Sequence, residues 1–341
     1  MATINVSSTA ALNTALKAAK AGDTILLSTG TYTLNAAGLT FASDVTIASA
    51  NVDRPAVITS MTIDETVGLT LRDLEMKAAL ATGNQFKVVD SRDIHFERVN
   101  MHGSVDGVSN DGYGLLIRGS RDVSVSNSEF HDLEYGVSHL NSNGLTIDGN
   151  TFHHLQVDGV RGGGSSNVTI KGNLFRDFFP NPKNHPDAIQ FWTANTTASA
   201  TNIVITDNAV VRGDGAAVQG IFLKDQVGNL PFEKVVISGN VLAGTTYHGI
   251  MVRHAHDVTI TDNVVQGFTD KLSWIRVEDS DTGAIFDNRA NQVIVEASRA
   301  VTATGWVFVE TASARRPSWR RRALPRRAGP RSGAPARPPA P

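Results

Sequence analysis

Between Asp158 and Trp192 the chain reads DGVRGGGSSNVTIKGNLFRDFFPNPKNHPDAIQFW, a stretch dense in side chains that handle protons and anions. A carbon acid beside a carboxylate gives up its proton only when that carboxylate is neutralised, and Arg161, Gln190 and Asn184 can do this. His185 and Lys183 are candidate bases, with Lys224, Arg253 and His254 further along, because a neutral His or a Lys depressed by nearby cations can take a proton. Trp192 offers a flat face for a sugar ring. The matching chemistry is β-elimination on a uronate, in which a base removes the C5 proton and an acid protonates the departing oxygen. Arg161, His185, Gln190, Lys224 and Arg253 are therefore the catalytic candidates. His139, Lys183, Asn184, Trp192 and His254 are the substrate-contact candidates. His139 falls at an inward or bulged position and reads equally well as a packed structural histidine. Asp187 can orient His185 or join Asp158 as ligand to Ca2+, an ion that needs about six oxygens. Asp158, Asp187 and Asp225 could instead supply the two carboxylates of a hydrolase, about 6.5–9.5 Å or about 5–5.5 Å apart.

A repeat positions these residues. Seven-residue copies recur from Asp44 (DVTIASA), Gly68, Asp93, Asp122, Gly144, Asn167, Asn202, Lys234, Asp257 and Thr282 at spacings of 24, 25, 29, 22, 23, 35, 32, 23 and 25. A period near 23 with apolar residues at alternate positions means stacked coils of short strands. Six copies end in Asn: Asn150, Asn173, Asn208, Asn240, Asn263 and Asn288. Stacked at one corner, these can pass amide hydrogen bonds between coils and tolerate left-handed backbone. A second strand precedes each copy. If Leu115, Val137, Val160, Ile189, Ile221, Ile250 and Ile275 point inward, then Leu116, Ser138, Arg161, Gln190, Phe222, Met251 and Arg276 form one outward row. Arg118, Leu140, Gly163, Trp192, Lys224, Arg253 and Glu278 form another. The surplus length of the long repeats falls at 102–112, 178–186, 193–201 and 225–233, where it can wall a cleft.

Residues 9–21, TAALNTALKAAKA, put Leu12, Ala15, Leu16 and Ala19 on one helical face before GDTILLSTGTY. With the repeat, this cap resembles the right-handed parallel β-helix polysaccharide lyases and alginate C5-epimerases over roughly residues 1–305. The resemblance implies an all-β fold, a right-handed parallel β-helix of about ten coils with an N-terminal α-helical cap. It also implies a lyase cutting a uronate-containing acidic polysaccharide of alginate or bacterial exopolysaccharide type, with Ca2+ as a candidate cofactor. YGVSHLN and DGVRGGG lack the Asp-Pro-His element of the epimerases, and no Asp-Asp pair or Gly-His-Gly element like those of the polygalacturonases is present. An epimerase or glycoside hydrolase on the same fold, and a non-catalytic carbohydrate-binding shaft or adhesin, are the alternatives.

Domain limits follow as cap and first strands over 1–43, β-helix over 44–305, and a C-terminal end over 306–341. The chain has 341 residues and a formal charge of −2, but the nine arginines of residues 315–341 leave −11 on the first 314. That Arg/Pro-rich tail cannot bury a core and is expected to be disordered and dispensable. It is not read as a nucleic-acid site. There is no Cys, which excludes disulfides and thiolate metal sites. No apolar run spans a membrane, and no basic and apolar leader opens the chain. A monomer is expected, acting outside the cell by a leaderless route or after loss of a signal.

Overall fold

The computed structural model describes residues 1–79, 83–104 and 112–312; the tail from Arg315 and most of the 102–112 insertion lie outside them. The chain winds into a parallel β-solenoid of about 11 turns. One face is a thirteen-stranded parallel sheet; the other twenty-one strands divide into two further parallel ladders. One of these carries the strands Tyr113–Arg118, Tyr135–Leu140, Val160–Gly163, Asp187–Trp192, Gln219–Lys224, Tyr247–Arg253 and Ser273–Glu278. Leu115, Val137, Val160, Ile189, Ile221, Ile250 and Ile275 stand in register along it, and all are buried. The two outward rows follow with them in register, although Leu116 and Met251 are themselves buried.

Inside, Phe130, Phe152 and Phe175 stack with centroids 4.9 and 4.8 Å apart, a spacing set by the coil rise. The N-terminal opening is closed by the helix Thr9–Ala18. Ser8 caps it, its Oγ accepting the Ala11 N–H at 3.2 Å, and Leu12, Ala15 and Leu16 are buried.

At one corner Asn150, Asn173, Asn208, Asn240, Asn263 and Asn288 form a continuous ladder. Each Oδ1 from Asn173 onward accepts both the backbone N–H and the Nδ2 of the preceding rung, at 2.9 to 3.0 Å. These asparagines are not the left-handed residues. The positive φ falls one position earlier, at Gly149, Gly172, Asp207, Gly239, Asp262 and Asp287. It falls again at the first residue of nine repeats, among them Asp93, Asp122, Asn167 and Asp257. That explains the Gly, Asp and Asn preference there, since these types tolerate αL best. Lys234 and Thr282 hold the same conformation without that help. A second corner ladder uses Ser91, Ser120, Ser142 and Ser165, each Oγ accepting the N–H one coil back.

Candidate functional site

The outward face gathers Tyr135, Arg161 and Trp192 from three successive strands. The Arg161 guanidinium lies between the two rings, 4.1 Å from the Tyr135 centroid and 4.7 Å from that of Trp192. Glycines make this possible. A Cβ on Gly163 would come within 2.6 Å of the Trp192 carbonyl and 3.1 Å of its indole nitrogen. A Cβ on Gly162 would meet the His139 ring from the other side at 2.2 Å. The RGGG sequence therefore clears space for an indole outside and an imidazole inside.

Under Arg161 lie two carboxyl groups. Asp158 is 2 % exposed and Asp187 1 %. Asp158 Oδ2 is 3.2 Å from an Arg161 nitrogen, and its Oδ1 accepts the Asp187 N–H at 2.9 Å. Gln190 Nε2 donates to Asp187 Oδ2 at 2.6 Å, while Asp187 Oδ1 is buried with no hydrogen-bond partner. Burial pushes Asp158 up to about 6, against the opposing pull of Arg161. Burial, followed by the Asp158 charge, pushes Asp187 well above the usual carboxylate range. Burial also raises the neighbouring Tyr135 phenol to about 12.

This geometry does not suit Ca2+. One oxygen of Asp158 faces a guanidinium, and Ca2+ needs about six to eight oxygen donors. Among the described residues no three acidic or histidine side chains gather around a common point.

The other sequence candidates separate. His139 is fully buried, with its ring 4.9 Å from Phe191 and its Nδ1 3.0 Å from Ser165 Oγ. Burial pushes it down to about 3, so it is a neutral core residue and cannot touch a sugar. Lys183 and His185 are exposed on the loop before Asp187, with no polar partner among the described residues. Asn184 makes only a backbone turn, its N–H reaching Asn181 O at 2.9 Å. Lys224 sits in register between Trp192 and Arg253 and has no ion pair among the described residues; Arg253 bonds Asp279 at 3.1 Å.

His254 belongs to a built dyad that its residue type alone does not announce. Its Nδ1 is 2.6 Å from Asp225 Oδ2, and it keeps part of its ring exposed. Buried Asp225 also accepts the Thr193 hydroxyl and the N–H groups of Val227, Gly228 and Leu230, the last three at 3.0 Å. Burial raises its pKa, but these donors outweigh that effect and hold the carboxyl well below its ordinary range. Sequence reasoning passed over Tyr135 and Thr193, although each stands beside or within the outward rows.

The sequence profile described as "Right handed beta helix region" matches residues 63–288. No curated protein matches the chain in sequence. Among solved structures, the PfbA surface adhesin of Streptococcus pneumoniae is similar at TM-score 0.58 and 13 % identity, covering 89 % of this chain and 87 % of that one. The GH136 lacto-N-biosidase of Eubacterium ramulus is similar at 0.57 and 10 %, covering 90 % and 68 %. A mannuronic acid specific polysaccharide family 6 lyase from human gut microbiota is similar at 0.49 and 13 %, covering 91 % and 87 %. At such identities the likeness shows the fold alone. No helix among the described residues is long and apolar enough to cross a membrane.

Proposed function

The chain belongs to the right-handed β-helix family, and on that scaffold we propose that it cleaves an acidic polysaccharide by acid–base hydrolysis across Asp158 and Asp187. One observation carries this reading: two carboxyl groups on adjacent coils are held out of water and pushed up to different extents. Paired groups whose environments set them apart are the usual mark of an acid and a base. Burial and the Asp158 charge favour the protonated form of Asp187, so Asp187 serves as the acid and Asp158 as the base. Asp187 gives that proton to the departing glycosidic oxygen, and Asp158 takes one from the water that attacks the sugar. Arg161 covers the pair. On exchanging Asp158 for a uronate carboxylate it binds the substrate and opens the pair in one movement, while Tyr135 and Trp192 flank the sugar. A polysaccharide substrate places this chemistry outside the cell.

The acid limb of kcat/KM is expected near pH 6, where Asp158 takes up its proton. Activity should fall below it. A profile flat through that region would remove Asp158 as base.

A second reading rests on the Asp225–His254 dyad beside Lys224 and Arg253. A His held by a carboxylate is a ready base, and the two cations can neutralise a uronate. That arrangement is the one β-elimination uses. Incubation with a panel of acidic polysaccharides separates the two. New reducing ends without ultraviolet absorbance mean hydrolysis; matching absorbance from a conjugated unsaturated uronate means elimination at His254.

A further inference from the structure

Beyond Trp192 the same outward face continues over three more coils, and its character changes. Phe222, His248 and Trp274 follow one another there, with ring centroids 5.5 and 5.9 Å apart. Tyr247 packs on Trp274 at 5.3 Å and carries the Lys271 ammonium 5.4 Å from its ring. Gln219 Oε1, His248 Nδ1 and Trp274 Nε1 are each shielded from water and have no hydrogen-bond partner, although the residues themselves are only half-buried. Native proteins seldom leave such atoms unmet. Here they comprise an acceptor, a donor and a ring nitrogen that can be either, the set that sugar hydroxyls satisfy.

Apart from Lys271, which has no ion pair among the described residues, the charges on this part of the face are matched. Arg276 lies 2.6 Å from Glu296 and 3.6 Å from Glu278, and Arg253 lies 3.1 Å from Asp279. A carboxylate arriving here would meet three acids whose cations are taken. Around Trp192 the balance differs, because Lys224 has no ion pair among the described residues, although Arg161 is paired with Asp158. Trp192 stands in register with Glu278, so Trp274 is three coils along and four residues across the same face, roughly 20 Å at the usual strand spacing and rise, a span that one oligosaccharide can cover.

We propose that Gln219, His248 and Trp274 form a subsite for an uncharged pyranose, so that the preferred substrate is a heteropolysaccharide with neutral sugars between its uronates, not a homopolyuronate. This rests on the reading of the Arg161 face as an acidic-polysaccharide cleft.

The test is calorimetric binding to the Asp187→Asn protein, which should not cut. The probes are size-matched octasaccharides: hyaluronan, gellan and xanthan fragments as mixed polymers, and polymannuronate, polyguluronate and polygalacturonate as homopolymers. At least one mixed octamer is expected to bind about tenfold tighter than every homopolymer. Adding Trp274→Ala should weaken that octamer about tenfold, and Trp274→Phe, which keeps a stacking face and loses the N–H, should weaken it less. Far-ultraviolet circular dichroism of both variants checks that the coil is intact. If octamers bind and Trp192→Ala weakens them while neither Trp274 variant does, the subsite is wrong and the cleft stands. If a homopolymer binds as tightly as any mixed octamer, the substrate class is wrong. If none binds, the cleft reading falls and this proposal falls with it.

Discussion

The Asp187→Asn protein is expected to lose at least about 10²-fold in turnover, the usual contribution of a general acid, and to melt at a higher temperature than wild type in neutral buffer. Both effects follow from burial. Asp187 is 1 % exposed, and one of its oxygens has no partner. Burial and the Asp158 charge raise its pKa in the folded protein above that of the unfolded chain. A raised carboxyl contributes stability that is fully present below the unfolded pKa and is lost as pH rises through the folded one. Asn does not titrate, so the gain in melting temperature should be small in acid and grow toward neutral and alkaline pH. The amide still accepts from Gln190. Asp158→Asn should behave alike, with its gain developing between the ordinary value of 3.8 and about pH 6. Stability bought at the cost of activity is the pattern of a strained catalytic site. Unchanged turnover in Asp187→Asn would make the pair a structural oddity. A lower melting temperature at neutral pH would show that the buried charge is not a burden.

The repeat was legible because its two periods are physical. Alternation of two fixes which side chains enter the core, and the recurrence near 23 fixes which of them stack, so Val160, Ile189 and Ile221 fall in register with Arg161, Gln190 and Phe222 outside them. The same phase explains His139. It aligns with Ile117, Gly162 and Phe191, all inward, and its residue type could not override its position. The loop 178–186 carries no phase. Lys183, Asn184 and His185 therefore looked close to the site by sequence distance alone, while their backbone turns outward. Asp158 and Asp187 were legible as acids but not as a buried pair, because only packing shows that Arg161 covers one and Gln190 holds the other. The serine ladder left no comparable signal, since a serine every 22 to 29 residues is unremarkable in a chain with 25 of them.

Asn208→Ala is expected to cost about 2 kcal/mol. Asn208 is buried mid-ladder. Its Oδ1 accepts from the backbone N–H and the Nδ2 of Asn173, at 3.0 and 2.9 Å. Its Nδ2 donates to Ile170 O and Asn240 Oδ1, both at 2.9 Å. Alanine leaves the Asn173 backbone N–H without a partner where water does not reach, which costs about 1–3 kcal/mol, and takes away the second donor of the Ile170 carbonyl, which keeps its place in the strand ladder. The protein supplies its own control. Asn143, Asn167 and Asn202 form a second amide ladder with bonds of 3.1 and 2.8 Å, but exposed to solvent. There water replaces whatever the mutation removes, so Asn167→Ala should cost well under about 1 kcal/mol apart from the strain of its positive φ of 54°. Asn167→Gly removes that strain from the comparison. Because a solenoid need not unfold in one step, the measurement is the urea dependence of far-ultraviolet circular dichroism, read at the first loss of signal. Equal shifts for Asn208→Ala and Asn167→Gly would mean that the buried ladder adds no more than an exposed one, and that the coils are held together by their isoleucine, valine and phenylalanine stacks alone.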